Sequence, residues 1–145
     1  MDTFEDIKFD KQGPVARIEL NRPDAANGLN ARMASELHRA AKLCDGDPEL
    51  KVVVLRAGGG CWCAGGDLKE VLGQGDKAGN AIKAIADDLH AAISILSRMP
   101  ALLIVAVNGI AAGGGFGLAL IGDLVLAAQS ASFHGLWPSR AEPRR

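Results

Sequence analysis

A strand-like apolar run that opens into three consecutive glycines constrains this chain more than any other stretch. Residues 102–107 are apolar and rich in branched side chains, Asn108-Gly109 breaks the run, and the glycines at 113–115 precede apolar residues at helical spacing from Phe116. The pattern predicts a buried strand, a glycine turn and a helix N-terminus with unpaired backbone N–H groups. Such a point can bind an oxyanion or a phosphate. Tight packing of a helix on a strand also selects glycine, so this stretch alone leaves both interpretations open.

A second strand also ends in glycines. Residues 51–56 form a short β-branched run typical of a buried parallel strand, and glycines at 58–60 and 65–66 follow it, before Asp67. This repeated order predicts an α/β fold with crossover connections. Two such turns can bring two backbone N–H groups to one carbonyl oxygen and stabilise an enolate or thioester oxyanion. A phosphate loop is the weaker interpretation, because the chain has neither a Gly-Lys-Ser/Thr ending nor a GxGxxG with a suitably spaced acidic residue.

The N-terminal segment predicts a hairpin followed by a loop. Residues 4–10 and 15–20 indicate two strands, with a turn at 11–14. The loop at 24–28 is small and polar, so it suits contact with a ligand as well as the role of a simple connector.

Two amphipathic helices are predicted in the remaining segments. Asn30 is placed to cap the first, which ends at 45–48, and a mobile linker at 73–79 precedes the second, which ends before Pro100. Two histidines on these helices have no partner at metal-ligand spacing and are interpreted as surface or boundary residues, with catalysis as a minor alternative: His38 and His90.

Composition narrows the functional classes. The chain has 145 residues, 48% of them hydrophobic and 23% charged, and a net charge of -1, which fits one globular domain and favours neither nucleic acid nor a membrane as partner. The acidic start predicts no secretory signal, so we expect a cytoplasmic protein. Cys44, Cys61 and Cys63 lack a CxxC spacing, which favours free thiols over a disulfide framework or a metal site.

Three segments in series resemble the enoyl-CoA hydratase/isomerase (crotonase) superfamily. They are NRPDAANGLN at 21–30, CWCAGGDLKE at 61–70 and IVAVNGIAAGGGFGLALIGDLVLAA at 104–128, and the similarity covers residues 4–133. The resemblance implies a ββα spiral core within an α/β fold that acts on acyl-CoA thioesters. It also implies a homotrimer or hexamer, and no metal or redox cofactor, with coenzyme A present only as part of the substrate.

The same resemblance implies the site. It assigns an oxyanion hole to the backbone N–H groups of Gly66 and Gly114, which match the family through AGGD and GGG. The substrate carbonyl would be polarised between them, and the resulting enolate would be stabilised for hydration, a double-bond shift or a related reaction. The residues expected to bind the substrate around its coenzyme A moiety are Ala25, Ala26, Gly66, Asp67 and Leu68.

The sequence departs from the family where the catalytic acids are expected. Hydratases of the family carry a glutamate two positions after the triple glycine, where this chain has Gly117, and a glycine cannot transfer a proton. Isomerase-like members use an acid from a later GLxPD or GLxPE segment, and the context of Glu142 does not match it. Asp123 is interpreted as structural. We therefore predict impaired catalysis, and the alternative is a non-catalytic acyl-CoA-binding or assembly partner of full-length relatives.

The resemblance ends at Phe133, which predicts a core at 1–133 and an unrelated tail at 134–145 that is rich in proline and arginine. Family members continue for over a hundred residues. Codons allowed for this tail, read one base out of frame, can encode MAFGQVGLNPD, which resembles the absent family segment. Our hypothesis is a C-terminally truncated core caused by a one-base frameshift, and the alternative is a naturally short paralogue.

Overall fold

A computed structural model describes residues 3–135 of the chain. Within these residues, strands and α-helices follow one another in this order: β1 (Ile7–Gln12), β2 (Val15–Leu20), α1 (Ala31–Asp45), β3 (Val52–Ala57), α2 (Leu68–Leu72), α3 (Ala78–Arg98), β4 (Leu102–Val107), β5 (Ile110–Ala112), α4 (Gly114–Ala119), β6 (Leu124–Ala127) and β7 (Ser132–His134). Short 3₁₀ segments occupy Pro23–Ala25 and Gly75–Lys77. None of the helices in the described part is long and apolar enough to cross a membrane.

The main sheet has five strands in the order β1-β2-β3-β4-β6. The β1–β2 hairpin is antiparallel, and every later pairing in this sheet is parallel, with Val54 opposite Ile104 and Ile104 opposite Leu124. β5 and β7 form a separate parallel pair. The predicted α/β fold with crossover connections is confirmed. Because β3 and β4 run parallel, both of their carboxyl ends open at the same edge of the sheet, and the segments that lead to the two glycine turns leave from that edge.

The core lies between the sheet and the helices α1 and α3. The side chain of Asn30 accepts a hydrogen bond from the Met33 N–H at 2.7 Å, so the predicted cap of α1 is confirmed. The apolar stripe predicted for this helix is also buried, as its spacing of three and four residues requires: Leu29, Met33, Leu37, Ala40, Ala41 and Cys44.

The region after β4 differs from its prediction. A further strand, β5, separates β4 from the helix, which begins at Gly114 and spans only six residues. Residues 124–127 form strand β6, which the sequence did not predict. The reason is tertiary, since β6 is fixed by parallel pairing with β4, and a short apolar run has no periodicity of its own that separates strand from helix.

The predicted linker at 73–79 was also wrong. Gly75–Lys77 is a 3₁₀ turn and α3 already starts at Ala78.

The hairpin turn is tighter than predicted, because β1 continues to Gln12 and only Gly13 and Pro14 form the connection, with Gly13 at φ +58°. Glu142 and nearly all of the predicted tail lie outside the described residues.

Candidate oxyanion site

The two glycine turns meet at Gly65 and Gly113. A Cβ atom placed on Gly65, whose φ is +97°, would lie 3.7 Å from the Gly113 Cα and 3.0 Å from the Ala112 carbonyl oxygen. Backbone bonds hold the turns together: the Cys63 N–H donates to the Ile110 carbonyl and the Ala112 N–H to the Cys63 carbonyl, both at 3.0 Å. The sequence-based expectation that the turns come together is therefore confirmed.

Gly66 and Gly114 each follow one of these contacting glycines. The flanks of Gly66 are bonded to Leu29, whose N–H donates to the Gly65 carbonyl at 2.8 Å and whose carbonyl accepts from the Asp67 N–H at 2.9 Å. The N–H of Gly66 itself donates to no acceptor within residues 3–135, and neither does that of Gly114, the first residue of α4. A Cβ on Gly66 would meet nothing within 4 Å, so this residue faces open space. The unpaired N–H groups of Gly66 and Gly114 thus lie next to the contact between Gly65 and Gly113.

Gly115 serves a different purpose from Gly114. A Cβ on Gly115 would lie 2.6 Å from the Cys63 Cβ and 2.8 Å from its Sγ, so α4 can sit this close to the 61–63 segment only with glycine there. The buried Trp62 donates its Nε1–H to the Gly115 carbonyl at 2.9 Å. The packing interpretation of the triple glycine is confirmed at Gly115, whereas Gly114 offers an unpaired N–H and its binding of an oxyanion stays a prediction.

Two cavities meet at this pair of donors. Each is lined by Gly66, Leu68 and Gly114. The first, which we call the α3 pocket, measures about 380 Å³ and is otherwise lined by Leu29, Val71, Ile82, Ile85, Ala86, Leu89 and His90. The second, the turn pocket, measures about 370 Å³ and is otherwise lined by Ala64, Gly65, Ala112, Gly113, His134 and Gly135. A ligand that occupied both cavities would pass the two N–H groups.

Asp67 is an anchor of the 61–67 turn and lines neither cavity. Its carboxylate accepts the Glu70 N–H at 3.1 Å, which caps α2, and pairs with Arg22 at 3.0 Å. The bond from the Glu70 N–H and then the Arg22 guanidinium hold the pKa of Asp67 below its usual range, against the opposing effect of burial. Arg22 also donates to the Gly28 carbonyl at 2.6 Å, so one ion pair ties the 21–28 loop to the site.

Of the other predicted substrate-binding residues, one lines the cavities and two lie behind the residues that do. Leu68 lines both cavities and is 69% exposed. Ala25 and Ala26 line neither cavity, although the Ala26 carbonyl accepts from the N–H of Ala64 in the turn pocket at 3.1 Å. Arg22 was not predicted as an organising residue, because its only signal in the sequence was a basic residue beside proline in the NRPD segment.

Candidates for proton transfer are few. Gly117 lines neither cavity, and a Cβ there would meet nothing within 4 Å. Asp123 has the predicted structural role, since its carboxylate accepts from the Leu103 N–H at 2.8 Å. His38 pairs with Asp88 at 3.0 Å, between α1 and α3. His90, interpreted from sequence as a surface or boundary residue, is exposed and lines the α3 pocket.

The thiols are poor nucleophiles in this fold. Burial raises the pKa of Cys44 to about 12 and that of Cys63 to about 11, and it also raises the pKa of Cys61. All three are free cysteines. Within residues 3–135, no group of three His, Cys, Asp or Glu side chains is placed to hold a metal ion.

The fold and its paired glycine turns define a crotonase-type α/β protein. Residues 10–136 match the family model described as enoyl-CoA hydratase/isomerase, and the chain belongs to that family. A relative named enoyl-CoA hydratase/isomerase YhaR, from Bacillus subtilis, is 38% identical over 128 residues, which are 88% of this chain and 49% of the relative. The 1,2-epoxyphenylacetyl-CoA isomerase of Escherichia coli is 35% identical over 82% of this chain and 46% of its own length.

Solved structures give the same result. Pseudomonas aeruginosa AtuE superposes with a TM-score of 0.82 at 32% identity, over 89% of this chain and 50% of that one. An enoyl-CoA hydratase from Bacillus anthracis gives a TM-score of 0.80 at 32% identity, again over 89% of this chain and 50% of that one. The chain spans about half the length of the relatives it matches.

Proposed function

We propose that this protein binds an acyl-CoA thioester and holds its carbonyl oxygen between the N–H groups of Gly66 and Gly114, so that an enolate is stabilised. The observation that carries the proposal is the pair of unpaired backbone donors at the junction of the two cavities. Membership of the enoyl-CoA hydratase/isomerase family supports the same substrate class. The reaction would be a hydration, a double-bond shift or a related step through the enolate.

The chemistry follows from where negative charge develops. Removal of a proton next to a thioester carbonyl places charge on the carbonyl oxygen, and donors that are already oriented stabilise this charge without reorganisation. Loss of one such donor in an oxyanion hole lowers a rate by about 10²- to 10³-fold. Neutral backbone donors suffice, so this part of the proposal requires neither a metal nor a redox cofactor.

The linings of the two cavities suggest which part of the substrate each cavity would hold. The α3 pocket is lined by apolar side chains and His90 and suits the acyl chain, while the turn pocket is lined mostly by glycine and alanine residues of the two turns and suits the coenzyme A portion. Leu68 would lie beside both portions. For Ala25, Ala26 and Asp67 we propose an indirect role, in which the 21–28 loop and the Arg22 ion pair keep Gly66 in place.

The test compares two substitutions of Gly66. Gly66→Pro deletes the N–H, whereas Gly66→Ala keeps it and adds a Cβ where space is open. The measurements are calorimetric binding of hexanoyl-CoA and exchange of its C2 protons for deuterium by NMR. We expect Gly66→Pro to slow exchange by about 10²- to 10³-fold and Gly66→Ala to retain it. Equal exchange rates in the two folded variants, checked by circular dichroism, would contradict the role of the Gly66 donor.

A second candidate function is a non-catalytic acyl-CoA-binding or assembly partner of full-length relatives. It is favoured by one observation: within residues 3–135, no carboxylate lines either cavity. Binding of hexanoyl-CoA without C2 exchange, in a defined oligomer by native mass spectrometry, would support this alternative. Impaired catalysis, a cytoplasmic location, a trimeric or hexameric assembly and the absence of a cofactor other than substrate coenzyme A remain predictions.

A further inference from the structure

We propose that His90 is the proton-transferring side chain of this site and that the reaction it supports is a one-base double-bond shift in an enoyl-CoA. This inference rests on the proposed function, because it needs the oxyanion donors of Gly66 and Gly114 to hold the thioester. It goes beyond that function by naming a catalytic residue and by choosing one of the reactions that the proposed function leaves open.

The position of His90 along α3 places it at the glycine end of the α3 pocket. Ile82, Ala86 and His90 follow one another at intervals of four residues, so they share the helix face that lines the cavity. The preceding residue, Leu89, lies against the oxyanion site, since a Cβ on Gly114 would lie 3.5 Å from its Cδ2. Ile82 is eight residues earlier, about 12 Å along the helix. His90 therefore borders the part of the pocket where the thioester end of an acyl chain would lie.

The imidazole of His90 is available for this task. It makes no hydrogen bond or ion pair within residues 3–135, whereas His38, the other histidine on a helix, is paired with Asp88 at 3.0 Å. Among the described residues that line the α3 pocket, His90 alone has a side chain that can take up and release a proton. Histidine is the side chain best suited to general acid–base catalysis near neutral pH.

One base suffices for a double-bond shift because the proton taken is also the proton returned. Neutral imidazole removes a proton from C2 of a 3-enoyl thioester. The C2–H electron pair forms a C1–C2 double bond, and the carbonyl π pair moves to the oxygen held by the two N–H groups. The imidazolium then gives a proton to C4, the carbonyl re-forms, and the double bond ends between C2 and C3. No oxidant, reductant or second acid takes part.

Hydration is less well matched to this pocket. A hydratase must activate water and also protonate C2, which the family does with two glutamates, and one of their positions is Gly117 here. The α3 pocket contains a single side chain of this kind among the described residues. We therefore expect conversion of 3-hexenoyl-CoA to 2-hexenoyl-CoA to be faster than addition of water to 2-hexenoyl-CoA.

The experiment measures binding and turnover separately. Calorimetry with hexanoyl-CoA reports binding, and absorbance of the 2-enoyl thioester reports conversion of 3-hexenoyl-CoA, for the wild type, His90→Gln and the control His38→Gln. We expect His90→Gln to lower the conversion rate by about 100-fold or more with hexanoyl-CoA affinity within about threefold, and His38→Gln to retain the rate. Added imidazole should restore part of the conversion in His90→Gly.

The outcomes separate the two proposals. If the wild type binds hexanoyl-CoA and converts 3-hexenoyl-CoA, and His90→Gln does both equally well, the role of His90 is overturned and the oxyanion site stands. Binding by the wild type with neither conversion nor C2 exchange would also overturn it, in favour of the non-catalytic partner. Failure of the wild type to bind hexanoyl-CoA would overturn the proposed function and this inference together. Circular dichroism identifies a variant that is merely unfolded. If His90→Gln is unfolded, restoration of conversion by added imidazole in His90→Gly supports the role of His90, and no restoration overturns it.

Discussion

Gly65 and Gly113 lie against each other across the two glycine turns, since a Cβ on Gly65 would lie at van der Waals distance, 3.7 Å, from the Gly113 Cα. Each has a positive φ, +97° and +54°, which residues with a Cβ rarely adopt. The donors proposed for the oxyanion, at Gly66 and Gly114, each lie one residue further along. The positions of those donors therefore depend on two neighbouring residues whose positive φ favours glycine.

Gly65→Ala tests this dependence. The new Cβ would lie 3.0 Å from the Ala112 carbonyl oxygen and the alanine would have to adopt φ +97°, so we expect a loss of about 1–3 kcal/mol in the free energy of unfolding. Hexanoyl-CoA binding should weaken as well, because the turns must move apart. Urea unfolding and calorimetry measure the two effects. Gly60→Ala is the control, since φ there is not positive and a Cβ would meet nothing within 4 Å; equal losses in both variants would contradict the argument.

A feature of this site can be predicted from sequence when it depends on neighbouring residues, and cannot when it depends on residues distant in the chain. The glycine turns, the Asn30 cap and the apolar stripe of α1 are local patterns, and the structure confirms them. Strand β6 was not predicted because its conformation comes from pairing with β4. The 73–79 segment, rich in glycine and charge, resembles a linker, yet it continues into α3 because α3 packs on α1. At these two places, tertiary contacts determine the secondary structure and override the local sequence propensity.

Gly115→Ala and Gly117→Ala form a matched pair on α4. A Cβ on Gly115 would overlap Cys63, at 2.6 Å from its Cβ, whereas one on Gly117 would meet nothing within 4 Å. We expect Gly115→Ala to destabilise the fold by about 1–3 kcal/mol through overpacking. Gly117→Ala should stabilise it by about 0.5–1 kcal/mol, because alanine loses less backbone entropy in a helix.

Thermal or urea unfolding of both variants measures this difference. Fluorescence adds a second readout for Gly115→Ala, since the Trp62 indole is bonded to the Gly115 carbonyl and would shift with α4. If Gly115→Ala were as stable as the wild type, the close approach of α4 to Cys63 would not be a feature of the folded protein.

Glu36 is a buried charge that no sequence pattern indicated. It is 3% exposed, and its carboxylate accepts the backbone N–H groups of Glu5, Asp6 and Ile7 at 2.9, 2.8 and 3.0 Å. These bonds attach the start of β1 to α1. On a helix, a glutamate among apolar residues is normally solvated, so its role depends on where the N-terminal segment lies in three dimensions.

Glu36→Gln should reduce the free energy of unfolding by about 2–3 kcal/mol, because charge-assisted bonds are lost and the amide group faces other donors. The control is Glu49→Gln, whose side chain is 81% exposed beside Lys11 at 3.4 Å and should contribute less than about 1 kcal/mol. Urea unfolding compares the variants. Hydrogen exchange should locate the Glu36→Gln effect at residues 5–7, and uniform loss of protection along the chain would argue against a local attachment.

Asp67 provides a pH-dependent test of the anchor beside the site. Its pKa is lowered in the folded protein, first by the bond from the Glu70 N–H and also by Arg22. A carboxylate with a lowered pKa stabilises the fold above its unfolded pKa, about 3.9, and this contribution is lost as the pH falls through the folded pKa. Asn is as good an N-cap as Asp, so Asp67→Asn removes the charge and keeps the cap.

We therefore expect Asp67→Asn to be less stable than the wild type by about 1 kcal/mol at pH 7, with a constant difference down to about pH 5. Below about pH 4 the difference should shrink, because the wild-type carboxylate itself becomes protonated. Urea unfolding at a series of pH values measures this difference, and Asp67→Ala should lose the cap as well, at about 1 kcal/mol more. A difference between Asp67→Asn and the wild type that stayed constant from pH 7 to about pH 2.5 would mean that the Arg22 pair contributes nothing through charge.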